Sequence, residues 1–245
     1  MTSLNEILDD LRAEYQRLDE ILSSLSAANW ASPSGAPGWS ICDVVVHLSV
    51  SEEGVATTIE AASPTWTDWD GRLDEAMATI VEQNRAEPTA VLTRWRTATV
   101  ASIRALSTAD PDQRFSWAAA PLRPATLATT RIAEHWAHGL DIAGPLGVEF
   151  DDTDRLRHIA WLGHATIPYA CSLQDIQTEP VAAILTGPHG DNWTFGPADA
   201  PSRIVGPAGA FCRVGAQRLE PDDSGLTVVG PFAQTALSVL RNYAA

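Results

Sequence analysis

The stretch RIAEHWAHGLDI, residues 131–142, places Glu134 and His138 four residues apart in a segment that reads as helix. Positions four apart lie only about 40° from each other around a helix axis, so carboxylate and imidazole project from one side. Leu127, Arg131 and Asp141 share that face, while Ile132, Trp136 and Leu140 point the other way. Spacing alone leaves two readings open. One is an exposed Glu–His pair, adding roughly 0.2–0.5 kcal/mol to the helix. The other is a pair of ligands for a site completed elsewhere in the chain. His135, about 100° from Glu134, reads as a surface or loop-contacting residue.

A candidate for the missing ligand stands in GWSICDVVVHL, residues 38–48. Ser40 and Asp43 have the spacing of a capping box, with the acid near the positive helix end, and Trp39 and Val44 can form a hydrophobic staple around it. The apolar run continues to about residue 62, where Ser63-Pro64 stops it. His47 follows three valines and precedes Leu48. It is either a core histidine with its ring satisfied or a ligand, because an imidazole in an apolar bundle needs partners for its nitrogens. A cation shared with Glu134 and His138 would supply one. Two histidines and a carboxylate form a known catalytic zinc set with a position left open, and facing helices of a bundle are a natural place for it.

Around these motifs the chain organises itself. Residues 3–26 carry Leu4, Ile7, Leu8, Leu11, Tyr15 and Leu18 at helical spacing. A Pro/Gly/Ser-rich loop precedes the His47 helix. Residues 72–87 read as a further helix, and Pro88 opens another. Thr126 is expected to cap the helix containing the opening stretch, which ends near Gly144-Pro145. The expected architecture is a four-helix-type bundle over 1–150, a linking region at 151–177 with a helix bent or ended by Pro168, and a small α+β module over 178–245. There, VAAILTG and NWTFGP flank the turn PHGD, a strand–turn–strand signal. The fold class is α+β.

Composition narrows the function. The formal net charge is −15, with 31 acids against 16 bases, so a phosphate backbone would be repelled and nucleic acid is not an expected partner. All the bases are Arg, which removes Schiff-base and phosphate-loop lysine chemistry. Cys42, Cys171 and Cys212 are scattered, fitting a reduced compartment better than a disulfide framework. The acidic N-terminus does not read as a signal peptide, and no apolar run reaches the ~18 residues of a membrane span. A cytoplasmic protein with a small-molecule substrate, acting as monomer or homodimer and away from membranes, is expected.

GWSICDVVVHL together with RIAEHWAHGLDI resembles the mycothiol-dependent maleylpyruvate isomerase family, within the broader DinB-like metal-binding four-helix bundles. In that pattern a histidine of the second helix joins an E-x-x-x-H pair of the fourth, which on this chain are His47, Glu134 and His138. PATLATTRIAEHWAHG (124–139) is similar to an actinobacterial branch, as is GLTVVGPFAQTALSVLRNYA (225–244), which also looks like a sterol-carrier-like C-terminal module. The resemblance implies a divalent metal, usually zinc, held by those three residues, and mycothiol as possible cosubstrate. The implied activity is activation of a thiol for transfer to, or isomerisation of, a small electrophile. Two alternatives stay open: a thiol-independent metal-dependent hydrolase, lyase or cyclase, and a non-catalytic binding protein with a structural metal, whose apolar cavity Trp66 and Trp69 would suit. Arg131, Arg157, Trp161 and His164 are weaker candidates for substrate contact, and one of Arg203, Arg213 and Arg218 for holding a carboxylate.

Overall fold

The computed structural model describes residues 2–61, 73–118 and 120–243, and divides the chain into Met1–Phe150 and Asp151–Ala244. Trp66, Trp69 and the expected stop at Ser63-Pro64 lie outside the described residues.

The first unit is helical. α1 (Leu4–Ser23) buries Leu8, Leu11, Leu18 and Leu22 along one stripe. A five-residue α2 (Ala27–Ala31), capped by Ser26, occupies part of the stretch expected to be loop. α3 (Ile41–Glu60) starts at Ser40, where the Ser40–Asp43 capping box is present in both directions. α4 (Leu73–Gln83) and α5 (Pro88–Thr108) follow. α6 (Pro124–Leu146) ends at Gly147, whose φ of 64° suits the left-handed cap. Its start differs from expectation. Pro124 takes the first turn with Arg123 before it, so Thr126 lies inside the helix and caps nothing. Proline is pre-organised for a helix's first position and needs no N–H there, which settles the boundary.

α1, α3, α5 and α6 form the bundle: α3 packs along α5 and α1 along α6, and the contacts α1–α5 and α3–α6 close it. Indole and aliphatic side chains fill the middle, with Trp95, Trp136, Leu48, Leu127 and Ile132 almost fully buried. One narrow point matters for α6. A side chain at Gly139 would meet the Phe150 ring at 2.3 Å, and that ring lies 3.4 Å below the Arg17 guanidinium.

In the second unit the expected helix of 153–172 is split. α7 (Leu156–Ala165) and α8 (Ile167–Ser172) meet at Thr166, because Pro168 in the first turn of α8 cannot continue the ladder of α7. β1 (Val181–Thr186) and β2 (Asn192–Phe195) form the expected hairpin, with Gly190 at φ 88° in its turn. β3 (Ser202–Pro207) runs parallel to β1, and β4 (Thr227–Val229) antiparallel to β3, giving the order β2-β1-β3-β4. β1 is buried at Val181, Ala182, Ala183 and Leu185, as a central strand covered on both faces requires. α9 (Ala208–Gly215) packs on β1 and β3, and α10 (Ala233–Ser238) on β3 and β4. The mixed α+β class is as expected. Among the described residues, no helix is long and apolar enough to cross a membrane.

Gly139→Ala should displace the Phe150 ring and cost about 1–3 kcal/mol by overpacking. Thermal unfolding checks this, and an unchanged midpoint would contradict the packing described.

Candidate metal centre

The capping box at Ser40 fixes where α3 begins, and with it the position of His47 two turns on. Arg85 reinforces that start, donating to Asp43 Oδ1 from Nε at 2.7 Å. Glu134 and His138 occupy the middle of α6, which packs on α3.

The three side chains converge. Their ligand atoms all lie within 4.8 Å of one another. His47 Nε2 stands 3.3 Å from Glu134 Oε2, and His138 Nε2 stands 3.7 Å from the same oxygen. In a tetrahedral zinc site with bonds of about 2.0–2.1 Å, neighbouring donors lie roughly 3.3 Å apart. The two separations to Glu134 Oε2 are near that value, and the whole set falls within 4.8 Å, a spread that a small closing movement would bring onto one ion. Its chemistry fits as well: two imidazoles and a carboxylate, with side-chain exposures of 12 % for His47, 25 % for Glu134 and 13 % for His138. Such a set is shielded yet reachable. His47 Nδ1 is buried without a hydrogen-bond partner among the described residues, so on this ring it is Nε2 that faces the other two donors.

Protonation favours ligation. Burial lowers the pKa of His47 despite the adjacent carboxylate, so the ring is neutral near pH 7. Burial alone would raise the pKa of Glu134, but the His47 hydrogen bond and the Arg131 charge outweigh it and hold the group well below the usual carboxylate range. His138 Nδ1 donates to Asp141 Oδ2 at 2.9 Å, which turns Nε2 toward Glu134. A carboxylate behind a ligand histidine fixes tautomer and ring orientation. Asp141 is itself anchored, since its carbonyl accepts from the Gly35 N–H at 2.7 Å. Gly35 is needed there: a Cβ would sit 3.0 Å from both Cα and Oδ1 of Asp141.

Trp39 has a second role beyond the expected staple. Its ring centroid lies 5.2 Å from that of His47 and 6.4 Å from that of His138, so it forms an aromatic wall beside both imidazoles. Gly38, at φ 80°, makes the turn that brings the indole there.

Behind the site lies a buried polar cluster. Arg131 Nε donates to Glu52 Oε1 at 2.9 Å, with side-chain exposures of 3 % and 0 %. His135, expected at the surface, is 1 % exposed. Its Nδ1 donates to the Arg131 carbonyl at 3.0 Å, and its Nε2 accepts from Trp95 Nε1 at 3.2 Å. Burial pushes its pKa down to about 4, consistent with a neutral ring serving as a structural bridge. The surface expectation failed because Trp95 comes from α5, a partner that helical phase on α6 cannot reveal.

The weaker sequence candidates have varied settings. Arg131 is the buried ion-pair partner just described. Arg157, Trp161 and His164 belong to the second unit. Arg157 is exposed, with its guanidinium over the Trp193 ring at 5.9 Å. Trp161 is 42 % exposed. His164 Nε2 donates to the Val181 carbonyl at 2.9 Å. Arg213 makes two hydrogen bonds to Asp152, at 2.8 and 2.9 Å, Arg218 donates to the Ala216 carbonyl, and Arg203 is exposed. Asp141, Trp39 and Glu52 were not singled out from sequence as site residues. The three-residue step from His138 to Asp141 was a usable signal for the first.

Comparison with known proteins places this geometry in context. Residues 11–143 match the family described as mycothiol maleylpyruvate isomerase N-terminal domain, a span holding all three candidate ligands. Uncharacterized proteins from two strains of Mycobacterium tuberculosis, MT0041 and Rv0036c, are each 36 % identical to the chain, over 96 % of its length and 94 % of theirs. The crystal structure of the mycothiol-dependent maleylpyruvate isomerase superposes with a TM-score of 0.64 at 16 % identity, covering 93 % of each chain. A histidine-to-alanine mutant of that enzyme gives 0.62, at the same identity and coverage. At that identity the likeness establishes the fold.

Asp141→Asn should weaken binding of a divalent cation by about 10–100-fold, the range for groups behind ligand histidines. Competition against a chromophoric chelator measures this, and undiminished affinity would remove Asp141 from the site.

Proposed function

The chain belongs to the mycothiol maleylpyruvate isomerase family, and on that premise we propose that it is a metal-dependent enzyme activating a thiol against a small electrophile. The observation that carries this reading is the convergence of His47, Glu134 and His138 from two separate helices. A divalent cation, zinc first among candidates, would supply positive charge that favours ionisation of a thiol brought beside it.

The chain's own residues prepare for that event. Two imidazoles ligating through their lone pairs and one carboxylate would contribute a single negative charge, which would leave a bound dication net positive toward an incoming thiolate. Asp141 holds His138 in the tautomer that exposes Nε2. Trp39 limits the approach on one side with an apolar face. The thiol's proton passes to solvent, its sulfur adds to one carbon of an activated C=C bond, and the π electrons move onto the substrate's carbonyl as an enolate. The enolate takes up a proton from solvent where the C–S bond is kept, and re-forms the double bond where thiolate is expelled. Retention of the new bond gives transfer. Rotation about the former double bond, followed by loss of the thiol, gives isomerisation and returns the thiol unchanged.

Mycothiol is the proposed cosubstrate because the family description and both solved neighbours name it. A thiol-independent reaction is the competing outcome.

The experiment pairs elemental analysis with an assay run with and without thiol. About one ion per chain is expected in the native protein, and near-complete loss in His47→Ala, because an open three-ligand site cannot spare one donor. Turnover is expected only with thiol present. Full occupancy in His47→Ala would overturn the metal assignment, and turnover without thiol would move the reaction to the hydrolase, lyase or cyclase class.

A further inference from the structure

We propose that the buried Arg131–Glu52 pair is a neutral clamp on Glu134: Arg131 orients the carboxylate, and Glu52 cancels the guanidinium charge so that a dication is not repelled. The inference rests on the metal reading above and concerns residues that the reading does not use.

The geometry separates the two tasks. Arg131 lies three residues before Glu134 on α6, and its Nη2 is 3.8 Å from Glu134 Oε2. That atom is buried and has no hydrogen-bond partner among the described residues. At 3.8 Å the contact is too long for a hydrogen bond but well within reach of a charge interaction. Arg131 therefore acts through charge on the same oxygen that faces both imidazoles, without hydrogen-bonding it. Its Nε is held back by Glu52 Oε1 at 2.9 Å.

Charge explains why Glu52 is needed. A bare guanidinium beside a ligand carboxylate would oppose any cation that carboxylate holds. Released from Glu52, it would also be free to close the remaining distance and take Glu134 for itself. Glu52, with 0 % side-chain exposure, cancels the charge in place. The pair is an unusual investment if stability were its only purpose, since apolar replacements of buried ion pairs are often neutral or stabilising. The surrounding groups add no competing charge: His135 donates Nδ1 to the Arg131 carbonyl, and its neutral ring accepts from Trp95. Burial, then the Glu52 charge, hold the Tyr15 hydroxyl protonated.

The test measures zinc dissociation constants by chelator competition, alongside the visible spectrum of the cobalt-loaded protein, for wild type and four variants. Glu52→Gln, which leaves Arg131 uncancelled, should weaken zinc at least tenfold, within the ~10–100-fold span seen for groups behind metal ligands, and alter the cobalt spectrum. Glu52→Gln combined with Arg131→Met restores neutrality and should bind more tightly than Glu52→Gln alone. A merely structural role predicts the reverse order, with the double variant the weaker. Should Glu52→Gln not fold, Arg131→Met alone is compared with the double. The single variant keeps the buried negative charge and should hold zinc the more tightly, and equal affinities overturn the proposal. Wild-type affinity in a folded Glu52→Gln overturns it as well. If wild type and His47→Ala both fail to hold zinc, the metal reading falls and takes the clamp with it. If only His47→Ala fails while Glu52→Gln matches wild type, the clamp alone is wrong.

Discussion

His47 Nε2 on α3 and Glu134 Oε2 on α6 stand 3.3 Å apart, and much of the first unit serves to hold that separation. It depends on the phase of two helices. The phase of α3 is set by the Ser40–Asp43 box, reinforced by Arg85. That of α6 is set by Pro124 at its start and by packing against α1 and α3. A slip of one residue in either helix would rotate its side chains by about 100° and take a donor out of reach.

The groups around the donors divide into those that orient and those that tune charge. Asp141 orients His138 and is pinned by Gly35 in the segment between α2 and α3. Trp39, from the same segment, lies against both imidazoles. One stretch of irregular chain thus anchors the carboxylate behind His138 and lays a wall against both imidazoles. Deeper in the bundle, Glu52, Arg131, His135 and Trp95 link α3, α6 and α5 through hydrogen bonds and an ion pair. Burial makes such links strong when satisfied and costly when broken.

Much of this was legible in the sequence, for identifiable reasons. Helical periodicity gave the bundle, and the i, i+4 step gave the Glu134–His138 pair, because both are local properties. His47 stood out as a polar ring in a valine run. The hairpin of β1 and β2 followed from two apolar runs around a turn. What escaped depends on distant partners. Helical phase turns His135 outward, because nothing near it in sequence announces Trp95. Local sequence gives Trp39 only a staple, since the two imidazoles beside it are supplied by folding. Helical phase turns Arg131 toward the site, but its ion-pair partner Glu52 lies 79 residues away in the chain and reaches it only through folding. Thr126 was preferred as a cap on residue type, whereas Pro124 decided the boundary.

The separation of the donors along the chain has a consequence for folding. Glu134 and His138 are close neighbours before any tertiary structure forms, whereas His47 is 87 residues from Glu134. A cation held by all three would bind the folded bundle and leave the unfolded chain, where that gap is open, so it would stabilise the fold by mass action rather than by restricting the unfolded ensemble. Occupancy of the centre would then tie α3 to α6 with a strength that follows the free concentration of the ion.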